Sequence, residues 1–430
     1  MYQAIVVGAG PSGLATLRHL LRHNISALAL EKRHDVGGVW LFEEGPIRHS
    51  SAYKTLVTIT SKDRSAFSDF PFPPEAPDYL PYHEVQKYFR RYAEHFGLLA
   101  HIRFGEEVQR VSREDGRWVV QTNEQTYEAA HIIVASGHHW KPFLPTYPGH
   151  FLGESYHSHD YTDPYQLRGR RVLVVGLGNS GADITVDGVR FAGSVDLSIR
   201  RGYHILPKFG FFGEATDALY HRLLSPMPLR FRHYLAGLTV RLLTGPSTRY
   251  GMPKPDHPIF YTHPLVNSEL LYHIRHGKIR LRPGIQRLEG HKVYFTDDSW
   301  GEYDTIIWAT GYEIAFPFLP PDLVPTESRL KRLYLHIFHL DAPTLSFVGL
   351  IQPNGCLWNL SELQGQLIAH YILGAYRLPP DAEKEAERYW QNHQSRYAHS
   401  PRHLLEVDWH EYYRHLTRLV QQSQPHPIHA

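Results

Sequence analysis

Two glycine turns in this chain have the residue types and spacing to hold the phosphates of a dinucleotide. Gly8-x-Gly10-x-x-Gly13 follows the apolar run from Ala4 to Val7, and Gly176-x-Gly178-x-x-Gly181 follows the run from Val172 to Val175. In each, a strand runs into a helix through a turn stripped of side chains. The helix can then offer free backbone N–H groups and its positive dipole end to a pyrophosphate. What comes next differs in charge. The strand after the first turn, Ile25 to Leu30, ends in Glu31, which is placed to accept hydrogen bonds from a ribose diol and would repel a 2′-phosphate. The strand after the second, Val195 to Ile199, ends in Arg200 and Arg201, and an arginine clamps a 2′-phosphate with charge-assisted, bidentate hydrogen bonds. The residues therefore predict FAD at the first turn and NADPH at the second.

The elements that must position these turns predict an α/β fold with two Rossmann-like domains. At 430 residues the chain exceeds what one core serves comfortably. The first unit reads as strand, turn, helix (about Ser12 to His23) and strand, followed by a long irregular stretch from Gly37 to Tyr82. Loops of that length are usually functional. A helix from about His83 to Phe96, short strands near 102–111 and 118–121, and a buried strand from His131 to Ala135 close the unit at Ser136-Gly137. Pro142, Pro145 and Pro148 mark a boundary. The second unit is interrupted between Phe209 and Asn267 by an insertion with helical periodicity. The strand at Asp304 to Gly311 stops in a small residue and glycine, as the strand before Gly137 does, so backbone there can pass close to a nucleotide. The chain then returns to the first unit. The expected division is residues 1–165 for FAD, 166–290 for NADPH with the insertion at about 209–267, and 291–430 for the rest of the FAD domain and the C-terminal helices.

Composition excludes several classes. The balance of 45 Lys plus Arg against 43 Asp plus Glu gives no field suited to nucleic acid. The first apolar run begins at Ala4 without a basic leader, no stretch offers 18 uninterrupted apolar residues, and the tail from Gln421 to Ala430 is polar. A cytoplasmic protein with no integral membrane segment is expected. Cys356 is the sole cysteine, which removes disulfides and the chemistry of flavin disulfide reductases, whose electrons pass through a cysteine pair. The 31 histidines are scattered without ligand spacing, so no metal is expected. Phe231, Tyr234, Leu235, Leu238 and Leu242 recur at helical spacing, with Arg230, His233 and Arg241 largely off that stripe. The stripe is expected to pack onto its own domain, the alternative being a membrane surface. Ser361-x-x-Gln364 reads as a capping box opening a late helix.

Between the two nucleotide units lies Phe151-x-Gly153-x-x-x-His157-x-x-x-Tyr161. Together with Gly8-Ala-Gly-Pro-Ser-Gly13, Glu31-Lys-Arg-His-Asp-Val-Gly-Gly-Val-Trp40, Phe67-Ser-Asp-Phe-Pro-Phe-Pro73 and Ala309-Thr-Gly-Tyr312, this chain resembles the flavin-containing monooxygenases, among the class B flavoprotein monooxygenases. The resemblance runs through nearly the whole chain and is weakest in the insertion and the last 50 or so residues. It implies that Pro11, Ser12, Glu31, Lys32, Gly38, Val39, Trp40, Thr60, Val108, Ala135 and Gln364 join the first glycines around FAD. For NADPH it implies Thr58, Asn179, Ser180, Asp183, Arg200, Arg201 and Thr310 beside Gly176, Gly178 and Gly181. His157 would govern how the domains meet.

The resemblance further implies that NADPH gives hydride to the flavin, which forms a C4a-hydroperoxyflavin with O2 and oxygenates a nitrogen or sulfur of a small molecule. The late helix would point its positive end at the flavin pyrimidine. Tyr53, Phe67, Phe70 and Phe72 are candidates for excluding water, or are simply core. One residue departs from the pattern. Where the family commonly carries Asn at the reactive flavin edge, this chain has Ile59, between Thr58 and Thr60. That keeps an NADPH oxidase or hydride-only reductase open as the alternative, beside a non-enzymatic redox sensor. Baeyer-Villiger oxygenation of a ketone also stays open, although those relatives usually carry Trp at Tyr161. A homodimer is the assembly considered.

Overall fold

The computed structural model describes residues 1–45, 49–398 and 403–425. Within the expected tail from Gln421, residues 426–430 lie outside the described residues, as do 46–48 of the long loop. Two sheets organise the molecule, one mixed with a parallel centre and one wholly parallel. The larger is a 9-stranded sheet in the order Leu333–Tyr334, Phe338–His339, Leu345–Phe347, Thr126–Val134, Tyr2–Val7, Ala27–Glu31, Ile102–Phe104, with Val108–Glu114 and Arg117–Thr122 attached as a meander to Thr126–Val134. Tyr2–Val7 sits at its centre, fully paired on both sides, and its buried Ala4, Ile5 and Val6 face helices on one side and the meander on the other. A strand buried on both faces reads as the unbroken apolar run seen in the sequence.

The second sheet has 5 strands, all parallel, in the order Ile279–Arg282, Ser194–Ser198, Arg171–Val175, Thr305–Trp308, Glu154–His157. Its strands fall between those of the first sheet in the sequence, so one unit is inserted into the other. A four-stranded sheet of Trp300–Glu302, Lys292–Phe295, Ile285–Gly290 and Gly149–Phe151 covers it. Divided by sheets, the inserted unit runs from Gly149 to Trp308. The boundaries drawn at 165/166 and 290/291 cut through it, because proline spacing and glycine turns mark loops and say nothing of which sheet a short edge strand joins.

The helix after each glycine turn begins where the sequence places it, at Pro11–Arg22 and Asn179–Phe191. The late helix differs. It runs Leu357–Ile372, with Cys356 as N-cap, its sulfur accepting from Trp358 N–H at 3.4 Å. Ser361 and Gln364 therefore sit inside the helix and form no capping box. The capping pattern is satisfied by residue types alone, and here a buried thiol directly after Asn354-Gly355 does the capping. This helix crosses Pro11–Arg22 so closely that a Cβ on Gly365 would lie 2.8 Å from the Thr16 Cα. Ser12 and Ser361 hydroxyls meet at 2.9 Å across the same crossing.

The insertion folds as two helices, Thr216–Leu224 and Leu229–Thr244. The apolar stripe on the second does not pack onto its own domain as expected. Phe231 is 51%, Tyr234 67%, Leu238 44% and Leu242 69% exposed. The face that packs inward carries Ala236 and Val240 and the fully buried Arg232, whose guanidinium pairs with Asp408 at 2.7 Å. A buried arginine on the inner face rotates the helix away from what hydrophobic spacing alone predicts. No helix among the described residues is long and apolar enough to cross a membrane.

Candidate functional site

The two glycine turns are built alike down to their close contacts. Gly8 and Gly176 both take positive φ, +103° and +102°. A Cβ on Gly8 would lie 2.8 Å from the Ala135 carbonyl oxygen, and one on Gly176 would lie 2.6 Å from that of Ala309. The third glycine of each turn is tighter. A Cβ on Gly13 would stand 2.0 Å from the Gly8 oxygen, and one on Gly181 2.1 Å from the Gly176 oxygen. Only bare backbone closes these turns. The helices that follow have Gly10 and Gly178 at their N-caps with no side chain on the terminal N–H groups, which leaves those donors for an anion. Gly38 packs its Cα 3.2 Å from where a Cβ on Gly10 would lie, so a second strip of bare backbone faces the first turn. Both turns fit the pyrophosphate of a dinucleotide.

Around the first turn, Glu31 is buried and its carboxylate accepts from Ala9 N–H at 2.8 Å and Arg33 N–H at 3.1 Å. A carboxylate has about four lone-pair positions, so capacity for a diol remains. Arg33, which sequence reading passed over, donates to Gly38 O at 2.6 Å and so fixes the Gly38–Trp40 turn against Glu31. Val39 is exposed, and Lys32 reaches out to His49 at 2.9 Å. Val108 and Ala135 are buried beside the sheet. Gln364 does not offer its side chain to a ligand. It is fully buried, its oxygen accepting from Gly349 N–H at 2.9 Å and its NH2 donating to the Tyr412 hydroxyl at 2.8 Å.

Around the second turn, Asn179 closes on Pro264 and Val266, donating to Pro264 O at 3.0 Å and accepting from Val266 N–H at 2.9 Å. Asp183 accepts a hydrogen bond from the Tyr53 hydroxyl at 2.8 Å and another from Asn267 Nδ2 at 2.8 Å. Burial pushes its carboxyl up to about 6. These two residues are occupied in joining segments of the protein, so their direct part in nucleotide binding is not supported by their side chains. Ser180 follows at the helix start. Arg200 is exposed at the end of Ser194–Ser198, beside Gly284. Arg201 turns instead towards His403, 3.2 Å away. Thr310 donates to Phe143 O at 2.5 Å.

His157 ends an edge strand of the second sheet, paired with Trp308, and is buried. It was expected in a connection between the units. Its Nδ1 accepts from His159 N–H at 3.0 Å, its ring meets Tyr312 edge-on at 5.1 Å, and burial pushes the imidazole down to about 4. The neutral ring serves packing where the strand stops. Tyr161 is fully buried and donates to Asp187 at 2.9 Å, beside Thr55 on the same carboxylate oxygen at 2.5 Å.

Thr58 is buried and locked to Leu80 through both backbone and hydroxyl, at 2.9 Å each. Ile59 and Thr60 instead face a cavity of about 170 Å³. Its far wall is the insertion, through Leu219, Tyr220, Val240 and Phe260, and its floor includes Pro353, Asn354 and Gly355 at the entry to the late helix. Of the loop aromatics expected to exclude water, none lines it. Phe67 and Phe72 are core, stacked on Tyr88, and Phe70 packs beside them against Tyr92, while Tyr53 joins the core of the second unit. Asp217, Tyr79 and His263 line the cavity and carried no sequence signal, since each reaches it from a different segment. Among the described residues no group of three or more metal-ligating side chains converges.

The family model described as flavin-binding monooxygenase-like matches residues 2–427. Flavin-containing monooxygenase 5 of Rattus norvegicus is 33% identical over 94% of this chain and 80% of its own length, and flavin-containing monooxygenase 2 of Homo sapiens is 34% identical over 87% and 74%. An S-allyl-L-cysteine S-oxygenase from Allium sativum superposes with a TM-score of 0.73 at 24% identity, covering 99% of this chain and 89% of that one. Cyclohexanone monooxygenase from Rhodococcus sp. Phi1, bound to NADP+, gives 0.71 at 17% identity over 98% of each chain. The paired glycine turns, the inserted second sheet and a match along nearly the whole chain make this protein a member of the flavin-binding monooxygenase family, an α/β flavoprotein with two Rossmann-type domains that uses FAD and NADPH.

Proposed function

We propose that this chain is an NADPH-dependent monooxygenase that places one oxygen atom of O2 on a nucleophilic nitrogen or sulfur of a small molecule. Gly8, Gly10, Gly13, Glu31 and Gly38 would hold FAD, and Gly176, Gly178, Gly181 and Arg200 would hold NADPH. When bound, the flavin supplies the redox chemistry, taking electrons from NADPH and activating dioxygen. The protein's part is to align the two nucleotides, admit a small substrate and keep water away. The ties of Tyr53 and Thr55 to Asp183 and Asp187 fix the loop that carries Thr58, Ile59 and Thr60 against the second glycine helix. The observation that carries the reading is the cavity bounded on one side by Ile59 and Thr60, on the far side by the insertion and below by Pro353, Asn354 and Gly355. Its wall is mostly aliphatic and aromatic, which suits a dry oxygenation site.

Ile59 favours a second reading, an NADPH oxidase that releases peroxide, because an aliphatic side chain offers no hydrogen bond at that edge. Steady-state turnover separates the two. Oxygenated product formed in about equal amount to NADPH consumed, with a tertiary amine or a thioether, supports the monooxygenase; peroxide formed regardless of substrate supports the oxidase.

A further inference from the structure

Among the residues lining the cavity, Asp217 is the sole carboxylate, and no lysine or arginine lines the wall. It stands near the start of Thr216–Leu224, where its side chain is held by donors on both sides. Oδ2 accepts from Ser61 N–H at 2.7 Å and from the Ser61 hydroxyl at 3.1 Å, and Oδ1 accepts from Ala218 N–H at 3.0 Å. Its orientation is therefore fixed, and it makes no ion pair among the described residues. The nearby Arg64 spends its guanidinium over the Trp409 ring, 4.9 Å from the centroid. A carboxylate held against an apolar wall without a counter-ion is costly. Burial pushes its carboxyl up, against the hydrogen bonds from Ser61 and Ala218, and a cation entering the cavity would favour its charged form.

We propose that Asp217 determines specificity at the oxygenation site by binding the ammonium form of a small tertiary amine, whose alkyl groups lie on Leu219, Leu223, Val240 and Phe260. This rests on the reading of the cavity as the substrate site. An amine must present its lone pair to be oxygenated. In the bound pair the N–H bond breaks, the proton passes to the Asp217 carboxylate, and the electron pair stays on nitrogen. An apolar wall favours the neutral pair over the charged one relative to water. Thioethers carry no proton and gain nothing from the carboxylate.

Asp217→Asn can keep an oxygen acceptor for Ser61 while it removes the charge and the acceptor facing Ala218 N–H. The test compares wild type, D217N and D217E by the KM of a tertiary amine and of a thioether of equal size. A second readout, independent of turnover, is calorimetric binding of a trialkylammonium ion to the oxidised, flavin-loaded protein without NADPH. In D217N the amine KM should rise and ammonium binding should weaken, each about ten- to a hundredfold, as expected for a lost hydrogen bond to a charged group. The thioether KM should move less than about twofold on the same scale, and D217E should restore much of the amine binding. Equal losses for amine and thioether would reduce Asp217 to a structural tie. Absent ammonium binding in wild type, or binding unchanged in D217N, would overturn the proposal. Failure to oxygenate either substrate, with ammonium binding still dependent on Asp217, would overturn the monooxygenase reading and leave the cation site standing.

Discussion

The Tyr53 hydroxyl donates to Asp183 Oδ2 at 2.8 Å, joining a loop between strands of the first sheet to the helix that follows the second glycine turn. With Thr55 on Asp187, it makes the inserted unit and the loop at Ile59 one assembly. Burial raises the Asp183 carboxyl to about 6. A raised acid contributes stability that is fully present below its unfolded value near 4 and lost as pH climbs through about 6. Asp183→Asn removes that loss. Its stability relative to wild type, followed by chemical denaturation, should therefore improve as pH is raised from 4 to 7. A constant difference would show that Asp183 does not titrate in that window.

Gly181→Ala should separate the two nucleotides. Its Cβ would lie 2.1 Å from the Gly176 oxygen, a contact that backbone cannot relieve without opening the second turn. The first turn is in another sheet and is untouched. The variant should retain yellow, flavin-bound protein while its KM for NADPH rises at least about tenfold, a loss of about 1.4 kcal/mol. Gly13→Ala, with its 2.0 Å approach to the Gly8 oxygen, should show the reverse and purify colourless. Absorbance of bound flavin checks both.

Arg200→Ala should cost about ten- to a hundredfold in KM for NADPH and little for NADH, because a charge-assisted bond to the 2′-phosphate is worth about 1.5–3 kcal/mol. Arg201→Ala should do much less, since Arg201 is directed at His403. Equal effects of the two substitutions would put both guanidinium groups on the phosphate.

Acid should unfold this protein readily. Burial pushes His138, His157 and His370 down to about 4, and His19, His336 and His410 to about 3. A base lowered on folding contributes stability present above its unfolded value near 6.5 and lost as pH falls towards its folded value. Each contributes a slope of about 1.4 kcal/mol per pH unit below about pH 6. His336→Gln should lessen the slope of stability between pH 6 and 4, and an unchanged slope would mean that His336 is already charged in the folded state.

The glycine turns, their strands and the charge of the residue after each second strand were legible in the sequence because each depends on contiguous residues at fixed spacing. The cavity was not. Ile59, Asp217, His263 and Asn354 come from four separate segments, and only their packing brings them together. The capping misread has the same origin. Ser361-x-x-Gln364 satisfies a local pattern, but Ser361 is held by Ser12 and Gln364 by Gly349 and Tyr412, partners no local window contains. The outward face of Leu229–Thr244 was misjudged because Arg232, which hydrophobic spacing leaves out of account, anchors the helix inward to Asp408.

That anchor should be expensive to break. Arg232 is fully buried, and although burial opposes the charge on Asp408, the His233 bond and the Arg232 charge hold its carboxyl well below the usual range. Arg232→Ala leaves a buried carboxylate without its arginine, held by His233 and Glu411 N–H, and should cost about 3–5 kcal/mol in denaturation. Because the pair ties the insertion to the C-terminal helix, proteolysis of the insertion should quicken in parallel. A loss below about 1 kcal/mol would place the pair with exposed ones.

Ile59→Asn tests what the departure from the family pattern does. Ile59 faces the cavity, whereas Thr58 is committed to Leu80 and Thr60 hydroxyl bonds Ser65 at 2.7 Å. Neither threonine is therefore a free replacement for the amide the family commonly carries there. Asparagine brings a donor and an acceptor to the wall, at the position where the oxygen-reactive edge of the flavin is expected. If the aliphatic side chain lets reducing equivalents escape as peroxide, I59N should raise the product formed per NADPH consumed and lower peroxide in step, with NADPH affinity little changed. If wild type is already fully coupled, I59N should leave the ratio alone or lower it, and the dry wall supplied by Ile59 is then what protects the reaction, because a polar side chain in an apolar cavity draws in water.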